Sequence, residues 1–129
     1  MSTEQRNIGV GEANTFSDAS QHTLAVHPAD PYTSGVAEAI VCARRASNGA
    51  SKQFLLRAGF RRDSGNVALH NVVQLAILGS TADLVALAQV EAVFDAIGQD
   101  VIVRVEGLAG VEIDWGCAFT GYAINHVAA

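Results

Sequence analysis

The chain has 129 residues, enough for one domain whose core needs no covalent staples. Half of it is hydrophobic, only 16% is charged, and the net charge of −5 excludes a phosphate-backbone binder, which needs a cationic surface. Low charge and a mean hydropathy of +0.24 imply more apolar surface than one small core hides, so oligomerisation or docking onto a larger partner is expected to cover the excess.

Residues 1–35 read as an extended N-terminal arm. They are rich in Ser, Thr, Asn, Asp and Gly and carry both prolines, Pro28 and Pro31. Ile8, Val10, Phe16, Leu24 and Val26 are scattered through them, and a free linker would not need such residues. They are therefore the candidate partner-binding positions of an arm that lies on another protein.

From Val36 onward the pattern changes to period two, the mark of strands with distinct faces. Ala37, Ala39, Val41 and Ala43 alternate with Val36, Glu38, Ile40, Cys42 and Arg44. After the turn signal Ser47, Asn48, Gly49, a second run sets Phe54, Leu56, Ala58 and Phe60 against Gln53, Arg57 and Arg61. Residues 63–66 supply a tight reversal, and a third apolar run covers 67–78. Val101, Val103 and Val105 form a valine strand, a loop follows at 107–110, and Val111, Ile113, Trp115, Cys117 and Phe119 alternate with polar or small residues. Short strands broken by Gly-containing turns predict an all-β fold, a β-sandwich or jelly-roll-like domain over 36–129.

Residues 80–97 admit two readings. Ser80 as N-cap, the spacing of Leu84, Leu87, Val90, Val93, Phe94 and Ile97, and Gly98 as a stop describe a helix. Alternation of Val90, Ala92, Phe94 and Ala96 with Glu91 and Asp95 describes instead a strand turning into the valine strand. Cys42 and Cys117 both lie in apolar strand-like runs; two small buried thiols or, if their strands are neighbours, a disulfide fit that placement. Arg44, Arg45, Arg57, Arg61 and Arg62 cluster, in a pattern that suits solvated faces or inter-subunit ion pairs.

Groups that could perform chemistry do not converge. His22, His27, His70 and His126 show no metal-ligand spacing, and no Gly-rich phosphate loop or serine nucleophile elbow occurs, so no cofactor or metal is expected. Glu112 and Asp114 share a strand face and could bind a cation or act on a glycosidic bond, but a solvated outer face opposite Val111, Ile113 and Trp115 is the favoured reading. Trp115 itself reads as a core anchor, with a sugar-stacking platform as the alternative. No run of about 18 apolar residues and no basic-then-apolar leader is present, so membrane insertion is not expected and folding in a cytoplasm is. An enzyme is not expected.

Several segments in order carry a resemblance. They are Ala43, Arg44, Arg45; residues 54–58; Gly65 with the Val/Leu run; the segment 98–107; and residues 111–116, with Asp114 and Trp115 together. This succession over 36–127 resembles a β-sandwich module of tailed-bacteriophage virion proteins, found at tail-fibre ends and in small stand-alone structural proteins. The resemblance implies a structural role in a virion assembled in the host cytoplasm. It favours a strand over 90–97, with room for one short helix around 81–89. The expected function is capsid decoration: a cement protein that self-associates, as a trimer, and clamps the major capsid protein through its arm. The alternative is a tail-fibre, tail-tip or receptor-binding component that reads host glycan with the loops at 47–51 and 107–110.

Overall fold

The computed structural model describes residues 3–4, 10–78 and 86–126. It is an all-β sandwich of two antiparallel sheets. The strands are β1 (Thr3–Glu4), β2 (Val10–Phe16), β3 (Gln21–Pro28), β4 (Thr33–Arg45), β5 (Ser51–Arg62), β6 (Ala68–Leu78), β7 (Glu91–Ile97), β8 (Asp100–Glu106) and β9 (Ile113–Asn125). The larger sheet runs β9-β4-β5-β6, with β1 and β2 both pairing on the far edge of β9. The smaller sheet runs β3-β8-β7 and lies across it.

Period-two alternation builds the core. Odd positions of β4 and β9 and even positions of β5 turn inward, so Ala39 lies between Phe119 and Leu56, and Ala43 beside Trp115. Small alanines on β4 leave room for Phe54, Phe60, Phe119 and Trp115 on its neighbours, a large-against-small arrangement that fills the layer without strain. Val101, Val103 and Val105 close the core from β8, and Phe94 meets Phe119 edge-on at 5.3 Å across the two sheets.

The strand reading of 90–97 holds, as β7. Residues 86–87 make a short helical turn before it; 81–85, the rest of the expected short helix, lie outside the described residues. That turn is held by a buried cation. Lys52, on the inner face of β5, points Nζ at the carbonyls of Leu87 (3.3 Å), Ala88 (3.4 Å) and Val90 (2.7 Å) and lies over the Phe54 ring. Carbonyls left open at a helical C-terminus are the natural acceptors for such a donor.

The segment read as an arm is where structure and expectation part. Val10–Phe16 registers on β9 from Val10 opposite Phe119 to Phe16 opposite Ile113. Gln21–Pro28 registers on β8 from Gln21 opposite Glu106 to Pro28 opposite Asp100. The first long strand of the sandwich begins at Thr33 rather than Val36. Residues 10–35 thus supply strands to both sheets instead of lying outside them. A register shift between Thr23 and Ala25 hides this in the sequence, because it puts adjacent Leu24 and Ala25 both in the core and breaks the alternation. Arg62 secures the far end of β3, donating from Nε to the Gly65 carbonyl (2.8 Å) and from a terminal nitrogen to the Ala29 carbonyl (2.6 Å).

Candidate interaction surfaces

The outer face of the larger sheet is apolar where a solvated face would be polar. Even positions of β4 and β9 and odd positions of β5 point outward, and they bring Ala118, Ile40, Leu55 and Leu75 side by side across four strands. With Val36, Val73, Ile77, Tyr122 and Ile124, the large side chains of this face are 39–54% exposed. The row forms the floor of a shallow groove of about 410 Å³. The next row holds Thr120, Glu38, Arg57 and Val73, in which Arg57 meets Glu38 at 3.4 Å. At the following level of the sheet His70 lies on Gly59, where a Cβ would stand 2.4 Å from the imidazole. Isolated exposed apolar residues need no explanation, but a contiguous patch across four strands marks a contact surface.

One strand of this face is also a sheet edge. β6 has β5 on one side and no further strand beyond it among the described residues. Positions 70–77 are all exposed, and Ala68–Leu78 contains no charged residue and no proline, the usual protections of an edge. An irregularity in the β5–β6 register coincides with Asn71, whose φ of 53° places it in the left-handed region that asparagine tolerates.

A second surface lies at the end of the sandwich where the loops 46–50 and 107–112 meet. The amide of Ala46 donates to the Glu112 carbonyl (3.0 Å) and that of Gly110 to the Ser17 carbonyl (3.0 Å), joining three connections. Arg45, Ala46, Ser47, Gly110, Val111 and Glu112 border an open pocket of about 380 Å³. Its Arg45 Nε is buried without a hydrogen-bond partner among the described residues. Of the loops read as glycan-recognising, 47–51 and 107–110, Ser47 and Gly110 lie on its border.

The five arm residues separate. Leu24 is in the core. Phe16 is half-buried and stacks on His22 at 3.9 Å between ring centroids. Val26 is exposed on the smaller sheet. Ile8 lies outside the described residues, and for Val10 the backbone pairing opposite Phe119 is what the structure gives. Trp115 is buried between the sheets, its indole N–H unpartnered among the described residues, so it packs and offers no platform for a sugar.

The cysteines lie on neighbouring strands but on opposite faces. Cys42 is opposite Gly116 and exposed, whereas Cys117 is opposite Val41 and buried. Side chains on opposite faces of one sheet cannot bridge, so the disulfide is excluded, and Cys42 is not the buried thiol the sequence suggested. The basic cluster divides as well: Arg62 is buried, Arg61 faces Asp63 at 3.8 Å, and Arg57 pairs with Glu38.

Of the titratable groups, His22 Nε2 contacts Asp18 Oδ1 at 2.7 Å, and that hydrogen bond holds the Asp18 carboxyl below the usual value of 3.8. Asp114 accepts from the Thr15 hydroxyl (2.9 Å) on the outer face of β9, while Glu112 is exposed in the preceding loop rather than on the strand. Among the described residues no three His, Cys, Asp or Glu side chains assemble to hold a metal ion, and no helix is long and apolar enough to cross a membrane.

The residues that sequence reasoning missed are those of the outer face: Ile40, Leu55, Val73, Leu75 and Tyr122. A signal was present. In the runs at 36–43 and 54–58, bulky apolar residues occupy both parities, as they do in strands covered on two sides.

An antiparallel β-sandwich with an open apolar sheet face is the class that these features define. No family model and no curated protein matches the sequence. Among solved structures, the chain is similar to the tailspike protein of Acinetobacter baumannii phage AM24, with 11% identity and a TM-score of 0.42. The alignment covers 94% of this chain and 27% of the tailspike, so the chain spans about a quarter of that protein's length.

Proposed function

We propose that the chain is a structural protein of a phage virion that works by contact: its sandwich self-associates, as a trimer, and the oligomer attaches to a larger assembly. The observation that carries this reading is the outer face of the larger sheet, whose apolar side chains stand open across four strands. The succession of segments over 36–127 that resembles a phage virion module supplies the setting. No catalytic step is needed. As a capsid decoration protein the oligomer would bind the expanded shell and stabilise it by mass action, since anything that binds one state preferentially shifts the equilibrium toward it.

The clamp assigned to the arm becomes narrower. Leu24 and Phe16 pack within the sandwich, so contact with the major capsid protein falls to surface positions, with Val26 the exposed one of these three. A second reading, a tail-tip or receptor-binding component that recognises glycan, is favoured by one observation: the loops 46–50 and 107–112 share a pocket bordered by Arg45 and Glu112.

Quantitative mass spectrometry of purified particles tests the proposal. Many copies spread over the shell support decoration, and a few at one vertex support the tail. Absence of the chain from purified particles rejects both.

A further inference from the structure

We infer that the outer face of the larger sheet is a self-docking surface, on which the β9–β4 half of one copy meets the β5–β6 half of a second. This deepens the proposed self-association by naming the face and its register.

Charge selects this face. The chain carries a net charge of −5, so two copies repel unless they meet through a surface that is not acidic. The outer side of the smaller sheet fails this condition. It presents Glu91, Asp95, Asp100 and Glu106 against Arg104, with Glu91 directly opposite Glu106. On the larger sheet, the four levels from Cys42 to Val36 hold one charge of each sign, Glu38 and Arg57. They pair with each other at 3.4 Å within the chain but are well exposed, at 42% and 67%, so the same pair can be exchanged across an interface.

Area agrees. The exposed fractions of the large apolar residues leave about 700 Å² of side chain open, close to the roughly 800 Å² per partner that a standard specific interface buries. The arrangement is complementary to itself. Ile40 of one copy packs toward Leu55 and Leu75 of the next, and the same shift carries Glu38 onto Arg57 of the second copy. Desolvation inside an apolar surround makes that exchanged pair discriminating, because like charges set opposite each other there are costly.

The test is sedimentation velocity with the full chain, comparing wild type with Glu38→Arg, Arg57→Glu and Leu55→Lys. Far-UV circular dichroism checks that each variant keeps its strands, and Leu55→Ser replaces Leu55→Lys if that variant fails to fold. The expected result is an oligomer for wild type, weakened more than about tenfold in each single variant, and restored when Glu38→Arg and Arg57→Glu proteins are mixed in equal amounts. The mass then reports whether the halves close reciprocally on a two-fold axis, where mixing restores every contact, or head-to-tail on a three-fold axis, where mixing restores two contacts in three. A wild-type monomer, an oligomer indifferent to these changes, or single variants that fail to rescue each other overturns the inference. Incorporation into particles is a separate measurement. A monomer that still enters virions would end the face proposal and leave the contact role standing, whereas an oligomer missing from virions would do the reverse.

Discussion

Replacing Lys52 with methionine removes the cation that closes the turn before β7 while keeping the length and apolar stem of the side chain. In the folded chain Nζ is 2.7 Å from the Val90 carbonyl and 3.3 and 3.4 Å from those of Leu87 and Ala88, and Lys52 is only 4% exposed. A hydrogen bond to a charged group contributes about 1.5–3 kcal/mol, and the short contact to Val90 counts near that value while the two longer ones add less. Against this stands the relief of no longer burying an ammonium, which an isosteric apolar side chain recovers in part. The net expectation is a loss of about 2 kcal/mol. For a domain of this size that is a fall in Tm of roughly 6–10 °C. Calorimetry measures it, and hydrogen exchange localises it. The Val90 amide, which donates to the Leu87 carbonyl at 3.1 Å, should lose protection before the amides of β4 and β5 do. A variant that melts within a degree of wild type would refute the reasoning, because the three carbonyls would then be satisfied without the lysine.

Gly35→Ala should be more damaging, since a Cβ there would sit 1.9 Å from the Tyr122 carbonyl oxygen and 2.9 Å from the Phe60 ring; about 3 kcal/mol or more should be lost in a urea titration, and an unchanged midpoint would contradict the β4–β9 register. A thiol reagent should modify Cys42 rapidly in the native chain and Cys117 only on unfolding; equal rates would place both on one face. The Asp18 carboxyl should titrate below 3.8 and return toward that value in His22→Ala, as followed by NMR. Because the folded value is depressed, its small contribution to stability is present above the unfolded value and disappears as pH falls through the folded one.

The long strands were readable because a buried position recurs at every second residue: β5, β9 and β4 from Val36 onward alternate, while β8 keeps the period in Val101, Val103 and Val105 although Ile102 between them is buried too. β3 was not, since its bulge places Leu24 and Ala25 together in the core, and β2 was not, since Val10–Phe16 is an edge strand with Gly, Asn and Thr in it. The contest between helix and strand at 80–97 was decided by tertiary pairing, β7 closing on β8 from Ile97 opposite Asp100 to Glu91 opposite Glu106. Which face of β4 would be covered was beyond local pattern. Bulkier Val36 and Ile40 face outward, and smaller Ala37, Ala39 and Ala43 face inward, because the aromatic rings of β5 and β9 fill the space beneath them. The pocket between loops 46–50 and 107–112 rests on a contact between segments more than 60 residues apart, and no spacing rule encodes that.

The placement of β9 governs the order in which the chain can fold. Ile113–Asn125 pairs with β4 on one side and with β1 and β2 on the other, so the last strand lies between the earliest strands and the fourth. A nascent chain can form the β4–β5–β6 meander and the β7–β8 hairpin as they emerge, but the remaining strands of the larger sheet wait for residue 125. Until then β2 and the open side of β4 are unpaired edges on a ribosome-bound chain, exposed to pairing with neighbours on the same message. That interval is the stage at which a chaperone would matter most.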